Sequence, residues 1–277
     1  MKDLSIIIIN YKTPSLLRQC IKSILRAKLK LNYEIIVIDN NSRDNTVQMI
    51  EDDFYETTKL IANKKNLGFP KAVNQGIVEA KKNQSKYILL LNPDITVLPN
   101  SIELIFDFME KNKDIAVLGP QLINPDGSIQ NSCFTQFTTP AIVLYRRTIF
   151  GKLRKAKGTI DNFLMANWDH KTPRNVAWIL GSCMFVRMLA IKKVGPMDER
   201  FFMYMEDVDW CRRFLEIGYR IYYWPRVKMV HYYQRASATE GGLLRSMFNR
   251  QTRIHIASAL KYFLKYWKRN DTISEKL

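Results

Sequence analysis

The chain is short of acid, poor in cysteine and without the glycine signatures of a phosphate-binding loop, and each shortage narrows what it can do. Against 43 Lys and Arg it sets 26 Asp and Glu, a formal net charge of +17 over 277 residues. Such an excess attracts polyanions, whether nucleic acid, anionic lipid or a phosphorylated substrate, and by itself chooses none of them. The 4 cysteines, Cys20, Cys133, Cys183 and Cys211, have no CxxC spacing. That disfavours zinc and a disulfide framework, and suits reduced, mostly buried thiols. Neither GxGxxG nor GxxxxGKS/T occurs, so a dinucleotide fingerprint and a P-loop are both missing, and a bound diphosphate needs another means of neutralisation. No apolar run reaches bilayer-spanning length, and residues 1–11 have too short an apolar run and the wrong flanks for a signal peptide. The expectation is a protein kept in the cytoplasm. Repeats and low-complexity tracts are absent, and an apolar content of 47% fills a proper core, in one large α/β domain or two small ones.

What is present is a rhythm of buried strands that end in polar groups. Residues 86–94 carry five apolar positions in a row and then Asn92-Pro93-Asp94. An unalternated apolar run fits a strand covered on both faces, and Pro93 stops the pairing, so Asp94 sits just past the carboxyl end. Residues 4–9 form a first strand ending in Asn10-Tyr11-Lys12. Thr13 is expected to cap a helix with Pro14 at its first position. Residues 34–38 form a second strand ending in Asp39, and Asn45 with Gln48 could box the next helix. A third strand, 59–62, leads through Asn66-Leu67-Gly68-Phe69-Pro70 into another helix. Three strand–helix units predict right-handed crossovers and a mostly parallel α/β sheet, with ligands at its carboxyl edge.

Further on the alternation loosens. A strand is expected at 115–118, a loop or hairpin at 119–131, and a basic helical insert over the site at 139–175. That insert holds Arg146, Arg147, Lys152, Arg154, Lys155, Lys157, Lys171 and Arg174 against Asp161 and Asp169 alone. Short strands at 177–180 and 184–187 flank Gly181-Ser182. A helix runs from Glu206-Asp207 to about Gly218, and two strands, 219–223 and 227–230, end at His231.

Each candidate residue has an ordinary explanation beside the chemical one. Asp94 could close a Pro-Asp turn, and Asp39 an Asx-turn. As a site residue, Asp39 would accept from a ribose hydroxyl or a base N–H, and Asp94 would hold a divalent metal whose remaining ligands are phosphate and water. Glu206 and Asp207 could simply complement a helix dipole, but the large apolar residues before them suit a carboxylate tuned as a base. Arg212 and Arg213 are expected to pair with Glu216 and Asp209 along the helix. His231 taken alone is an ordinary histidine more often than a ligand.

Taken together, Asn10-Tyr11, Asp39-Asn40-Asn41-Ser42, Asn66-Leu67-Gly68-Phe69, Leu91-Asn92-Pro93-Asp94, Trp178-Ile179-Leu180-Gly181-Ser182, Asp198 to Met203, Glu206-Asp207-Val208-Asp209 and Val230-His231 resemble bacterial family 2 glycosyltransferases of GT-A fold, nearest the rhamnosyltransferases of cell-envelope polysaccharide synthesis. The resemblance covers roughly residues 4–237. It implies a nucleoside-diphosphate-sugar donor, a divalent metal (Mg²⁺ or Mn²⁺) and inversion at the anomeric carbon. Position by position it makes Asp39 the base-binding acid, Asp94 the metal-binding acid and Asp207 the general base beside Glu206, with His231 near the metal and diphosphate. Asn10, Tyr11, Asn66, Gly68, Lys71, Asn92 and Pro93 would line the donor, and Trp178, Gly181 and Ser182 the acceptor. Two departures stand out. Asn92 replaces the first acid of a DxD motif, and Tyr232-Tyr233-Gln234-Arg235 replaces a glycine-containing run. By subgroup resemblance the donor is dTDP-L-rhamnose and the acceptor a polyprenyl-diphosphate-linked saccharide. A UDP-hexose transferase is the rival; a nucleic-acid-binding protein and a non-catalytic sugar-nucleotide sensor are the distant alternatives, since acids on the sheet edge repel nucleic acid and both Asp94 and Asp207 are kept.

The expected organisation is a transferase domain at 1–237, split into a donor half (1–119) and an acceptor half (120–237), followed by a basic helical segment at 238–277. Within 243–269, Ile256, Ala257, Leu260, Phe263, Leu264 and Trp267 share a helical face flanked by Lys261, Lys265, Lys268 and Arg269. That pattern suits a helix lying on anionic lipid at the inner face of the plasma membrane, or else a terminal helix packed on its own domain.

Overall fold

The computed structural model describes residues 1–147, 153–232 and 250–267. Strands β1 (Leu4–Asn10), β2 (Tyr33–Asp39), β3 (Thr58–Ala62) and β4 (Tyr87–Leu91) lie parallel in the order β3-β2-β1-β4. Their alternate residues feed two different cores. Ile6, Ile8, Ile35, Val37, Leu89 and Leu91 face one, with Leu17, Cys20, Ile21 and Ile24 of helix α1 (Pro14–Arg26). Ile7, Ile36, Ile38, Ile88 and Leu90 face the other, with Ala72, Val73, Ile77 and Ala80 of α3 (Phe69–Lys82). Period-2 strands sandwiched by period-3.6 helices explain why these runs are apolar throughout.

Between β2 and β3 lies α2 (Thr46–Asp53). Its expected capping box is not formed: Gln48 bonds Asp52 instead, and Asp44 accepts from the Thr46 N–H at 2.9 Å. Thr13 likewise makes no side-chain cap and donates to Asn10 Oδ1 at 2.7 Å.

After β4 the chain turns at Pro93-Asp94 into β5 (Ile95–Val97), α4 (Ser101–Lys111) and β6 (Ile115–Ile123). The strand expected at 115–118 thus continues through Gly119-Pro120, and the expected division of halves at 119–120 falls inside it. Beyond Leu118, β6 has no register with its antiparallel neighbour β10 (Cys183–Arg187). A proline there interrupts no ladder on that side. Next come β7 (Cys133–Phe134), α5 (Pro140–Arg147), α6 (Arg154–Phe163), β8 (Arg174–Asn175) and β9 (Trp178–Ile179). β7 and β9 form a separate two-stranded ribbon. α7 (Met188–Val194) and α8 (Glu206–Glu216) precede β11 (Arg220–His231). The two strands expected at 219–223 and 227–230 are this single strand, with a register shift against β6 between Trp224 and Lys228 that accommodates Pro225. The nine-stranded sheet runs β3-β2-β1-β4-β10-β6-β11-β5, with β8 on β11 and only β10, β5 and β8 antiparallel to the rest.

The last described helix, α9 (Arg250–Tyr266), has two dissimilar faces. Ala259, Tyr262 and Tyr266 are buried against the core, while Ile256, Leu260, Leu264 and Trp267 are 42%, 59%, 75% and 77% exposed. Phe263, expected on the outer face, leans inward onto the core. Lys265, expected beside that face, is turned inward too, 2.8 Å from Asp198 and 2.5 Å from Asp209. Lys268, Arg269 and the expected boundary at 237–238 lie outside the described residues, as do Lys152 and the side chains of Arg146, Arg147 and Lys155. No described helix is long and apolar enough to cross a membrane.

Candidate active site

Register levels the candidates at the strand ends. Asn10 pairs with Asp39 across β1 and β2, and Ile8 with Leu91 across β1 and β4, so Asn92-Pro93-Asp94 emerges at the same edge. β10 returns antiparallel, and Asn92 N–H donates to the Ser182 carbonyl at 2.8 Å.

At the first corner Asp39 is buried and held by its neighbours. Asn10 Nδ2 reaches Asp39 Oδ1, Ser42 Oγ and Thr46 Oγ1, each at 3.1 Å. Ser42 donates to Asp39 through its hydroxyl and, at 3.0 Å, through its N–H. Asn40, to which the sequence assigned no role, ties this corner to the 66–68 loop. It donates to Asn66 Oδ1 at 3.0 Å and the Gly68 carbonyl at 3.2 Å, and accepts from Leu67 N–H at 3.0 Å. Tyr11 and Lys71 are exposed at the rim. Of ten non-glycine residues with positive φ among the described residues, five stand in loops at this edge: Lys12, Asn41, Arg43, Tyr204 and Met205. Backbone strain of this kind collects where a loop must present groups to a ligand.

The second corner joins Asp94 to His231. Nε2 of His231, which is 2% exposed, lies 3.3 Å from Asp94 Oδ1, and that oxygen is buried with no hydrogen bond among the described residues. With a proton on Nε2 the two make an ion pair; without it, both offer lone pairs to one cation. The fit to a divalent ion is good, because two ligands at right angles and about 2.1 Å from an octahedral ion stand about 3 Å apart. No cluster of three or more His, Cys, Asp or Glu suited to a metal occurs among the described residues, so phosphate and water would complete the shell. Gln130, absent from every motif above, bonds His231 at both its ring and its carbonyl.

The third corner is the start of α8. Asp207 Oδ2 accepts from Gly181 N–H at 3.0 Å and Oδ1 from Val208 N–H at 2.9 Å. Burial pushes its carboxyl above the usual range, and those two N–H groups pull part of the way back. Glu206 is pushed well above its ordinary value by burial and then by the Asp207 charge, and its Oε2 has no hydrogen bond among the described residues. Of the two, Glu206 is pushed further up, so Asp207 is the first to ionise. The helix pairs Asp209–Arg213 and Arg212–Glu216 are present as expected, at 2.9 and 3.6 Å.

Of the three acceptor candidates, Gly181 stands against Asp207 and Ser182 presents a buried hydroxyl without a hydrogen bond among the described residues. Trp178 is a buried residue, 5% exposed, whose ring stacks on Phe134 at 4.0 Å and donates to the Gln136 carbonyl. The 139–175 insert contributes to the same cluster through Ile142 and Phe163.

Comparison with known proteins places the chain in a family. Residues 5–165 match Glycosyl transferase family 2, and residues 87–269 match Glycosyl transferase family group 2. An N-acetylglucosaminyl-diphospho-decaprenol L-rhamnosyltransferase of Mycobacterium tuberculosis is 27% identical over 232 residues, covering 80% of this chain and 74% of its own. The low-salt glycan biosynthesis hexosyltransferase Agl10 of Haloferax volcanii is 27% identical, over 77% of this chain and 62% of its own. The rhamnosyltransferase WbbL of Escherichia coli is 26% identical, over 65% and 62%. Among solved structures GalNAc-T7, crystallised with UDP, GalNAc and Mn²⁺, superposes with a TM-score of 0.67 at 14% identity, over 97% of this chain and 49% of that one. At that identity the likeness speaks for the GT-A fold alone. With one family match spanning residues 5–165 and the other 87–269, the chain belongs to glycosyltransferase family 2, a transferase with rhamnosyltransferases among its relatives.

Proposed function

We propose that the protein transfers L-rhamnose from dTDP-L-rhamnose to a saccharide on a polyprenyl diphosphate, in a single displacement that inverts the anomeric centre. The observation that carries it is one sheet edge bearing Asp94 beside buried His231 and, across Asn92, Ser182 and Gly181, a carboxylate set up as a base. The choice of sugar and acceptor is supported by the names of the rhamnosyltransferase relatives.

Asp39, steadied by Asn10 and Ser42, receives the base of the nucleotide, with Tyr11, Asn66, Gly68, Lys71, Asn92 and Pro93 along the donor. Asp94 and His231 would hold Mg²⁺ or Mn²⁺, which when bound neutralises the diphosphate and the charge left on the departing nucleotide. Asp207, ionised, takes the proton of the acceptor hydroxyl as that oxygen attacks the anomeric carbon from the face opposite the diphosphate. The Gly181 and Val208 N–H groups fix the direction of its lone pairs. Glu206 stays neutral and so adds no second charge beside the base. Gly181 and Ser182 border the acceptor sugar. Residues 1–119 supply the donor contacts other than His231, and the acceptor contacts come from 120–237.

The exposed stripe of α9, with Arg253 beside it, supports peripheral docking on anionic lipid at the cytoplasmic face of the plasma membrane. Removing α9 is a poor test, because it also strips Lys265 and Tyr266 from buried Asp209. The better test changes Leu260, Leu264 and Trp267 to serine and measures co-sedimentation with anionic and neutral vesicles at low and high salt. Binding equal to wild type refutes the docking.

The donor is tested by thermal shift against a panel of nucleotide sugars with Mn²⁺, since a bound donor raises apparent stability according to its affinity. NMR of the product then reads the anomeric configuration. The likeness to a hexosyltransferase favours one rival: stabilisation by a UDP-hexose and none by dTDP-L-rhamnose would assign the enzyme to that donor.

A further inference from the structure

Gln130 lies on the returning arm of a tight hairpin. Its N–H bonds the Leu122 carbonyl at 2.9 Å, and Asn124 N–H closes the turn on Ser128 O at 2.8 Å. From there its side chain reaches the end of β11. The amide cannot be turned around: its Nε2 is 2.9 Å from the His231 carbonyl, which only accepts, and 2.5 Å from Asn124 Oδ1. Its Oε1 therefore faces His231 Nδ1, at 2.8 Å. An amide oxygen takes only a donor, so Nδ1 carries a proton. In the neutral ring Nε2 then carries no proton, and Nε2 is the atom that faces Asp94 Oδ1 at 3.3 Å.

We infer that Gln130 is the positioning residue of the cation site: gripping His231 at both its ring nitrogen and its carbonyl, it sets the tautomer and ring direction that present Nε2, together with Asp94, to a divalent ion. The inference rests on the reading of Asp94 and His231 as the protein ligands of that ion. A ligating histidine is generally held by a hydrogen bond on its other nitrogen, and loss of such a partner lowers metal affinity 10- to 100-fold. The turn sequence Asn124-Pro125-Asp126-Gly127 thereby acquires a purpose, since the hairpin it closes brings Gln130 to His231.

The chain has 3 histidines, so ¹⁵N labelling of histidine in the full-length protein gives a spectrum simple enough to assign with a His231→Ala variant. In mildly alkaline, metal-free buffer, wild-type His231 should show the Nδ1–H tautomer, and Gln130→Met should lose it. Electron paramagnetic resonance titration of Mn²⁺ in the presence of dTDP should give a Kd about 10- to 100-fold higher for Gln130→Met. Binding of dTDP in EDTA, unchanged from wild type, reports that the variant is folded. An Nε2–H tautomer in the wild type overturns the inference without any variant. So does Mn²⁺ affinity unchanged in Gln130→Met but lost in His231→Ala, which leaves the ligand assignment standing. Unchanged affinity in His231→Ala overturns that assignment and this inference with it.

Discussion

Replacing Gly68 by alanine tests whether the 66–68 loop and the loop before Glu206-Asp207 are one unit. Gly68 caps α3 at φ 86° and ψ 170°, a region open essentially to glycine, where another residue costs about 1–3 kcal/mol. A Cβ there would also lie 2.5 Å from the Phe202 carbonyl oxygen and 2.9 Å from the Phe202 ring. That carbonyl accepts from Phe69 N–H at 2.7 Å, so moving apart loses a hydrogen bond worth about 1 kcal/mol. The total is about 2–4 kcal/mol, or roughly 5–15 °C in Tm at about 2–4 °C per kcal/mol for a domain of this size. Gly195 supplies the control. It has nearly the same backbone, φ 91° and ψ 174°, yet its added Cβ would meet only the far end of Arg213 at 4.0 Å. Gly195→Ala should therefore show the strain alone, while Gly68→Ala melts lower and also loses kcat/KM as the two loops part. Equal melting temperatures for the two variants, or full activity in Gly68→Ala, refute the reasoning.

Asp207→Asn keeps the shape of the base but not its proton affinity, so turnover should fall by about 10²-fold or more with donor affinity near wild type. In the wild type, turnover should rise with pH through a value above the ordinary aspartate range of about 3.9, because only the ionised form accepts a proton. Asp94→Asn should abolish Mn²⁺-dependent binding of the nucleoside diphosphate, and full activity in excess EDTA would contradict a metal at that corner. Glu206→Gln should gain stability relative to wild type as pH rises. The folded-state carboxyl is raised, so its contribution is fully present below the unfolded value near 4.3 and is lost as pH climbs through the folded one. A stability difference that stays flat from acid to neutral pH rules this out. Lys265→Met should cost about 1–3 kcal/mol by chemical denaturation, less than the 3–5 kcal/mol of a stranded buried charge, because Asp209 keeps Arg213 and Tyr266.

The first half of the fold was legible because its signals are local. Unbroken apolar strands, helical faces at 14–26 and 69–82 and polar residues at the strand ends needed no knowledge of the distant chain. Where reading failed, the deciding partner was remote. Pro120 and Pro225 look like breaks, yet one lies where β6 has lost its β10 neighbour and the other inside a register shift. Trp178, quoted beside Gly181-Ser182, is a core residue because Phe134 and Phe163 stack around it from segments far away in sequence. Gln130 gave no signal in a turn-rich stretch, since its role depends on His231, 101 positions on. Asp39, Asp94 and Asp207 stand out as acids after apolar runs, but strand register is what levels Asp39 with Asp94, and Asp207 joins them through the Gly181 N–H.

The same helix whose outer side is apolar also forms a wall behind residues 198–209. Along its inner side α9 bonds the Arg200 and Met203 carbonyls through Lys261 and Ser258, Tyr204 through Gln251, and Asp209 through Lys265 and Tyr266. These bonds are spread over four turns, so the helix can neither roll nor slide without carrying residues 198–209 with it. It works as a carpenter's jig: whatever surface meets Ile256, Leu260, Leu264 and Trp267 meets the cleft at one fixed angle and one fixed depth.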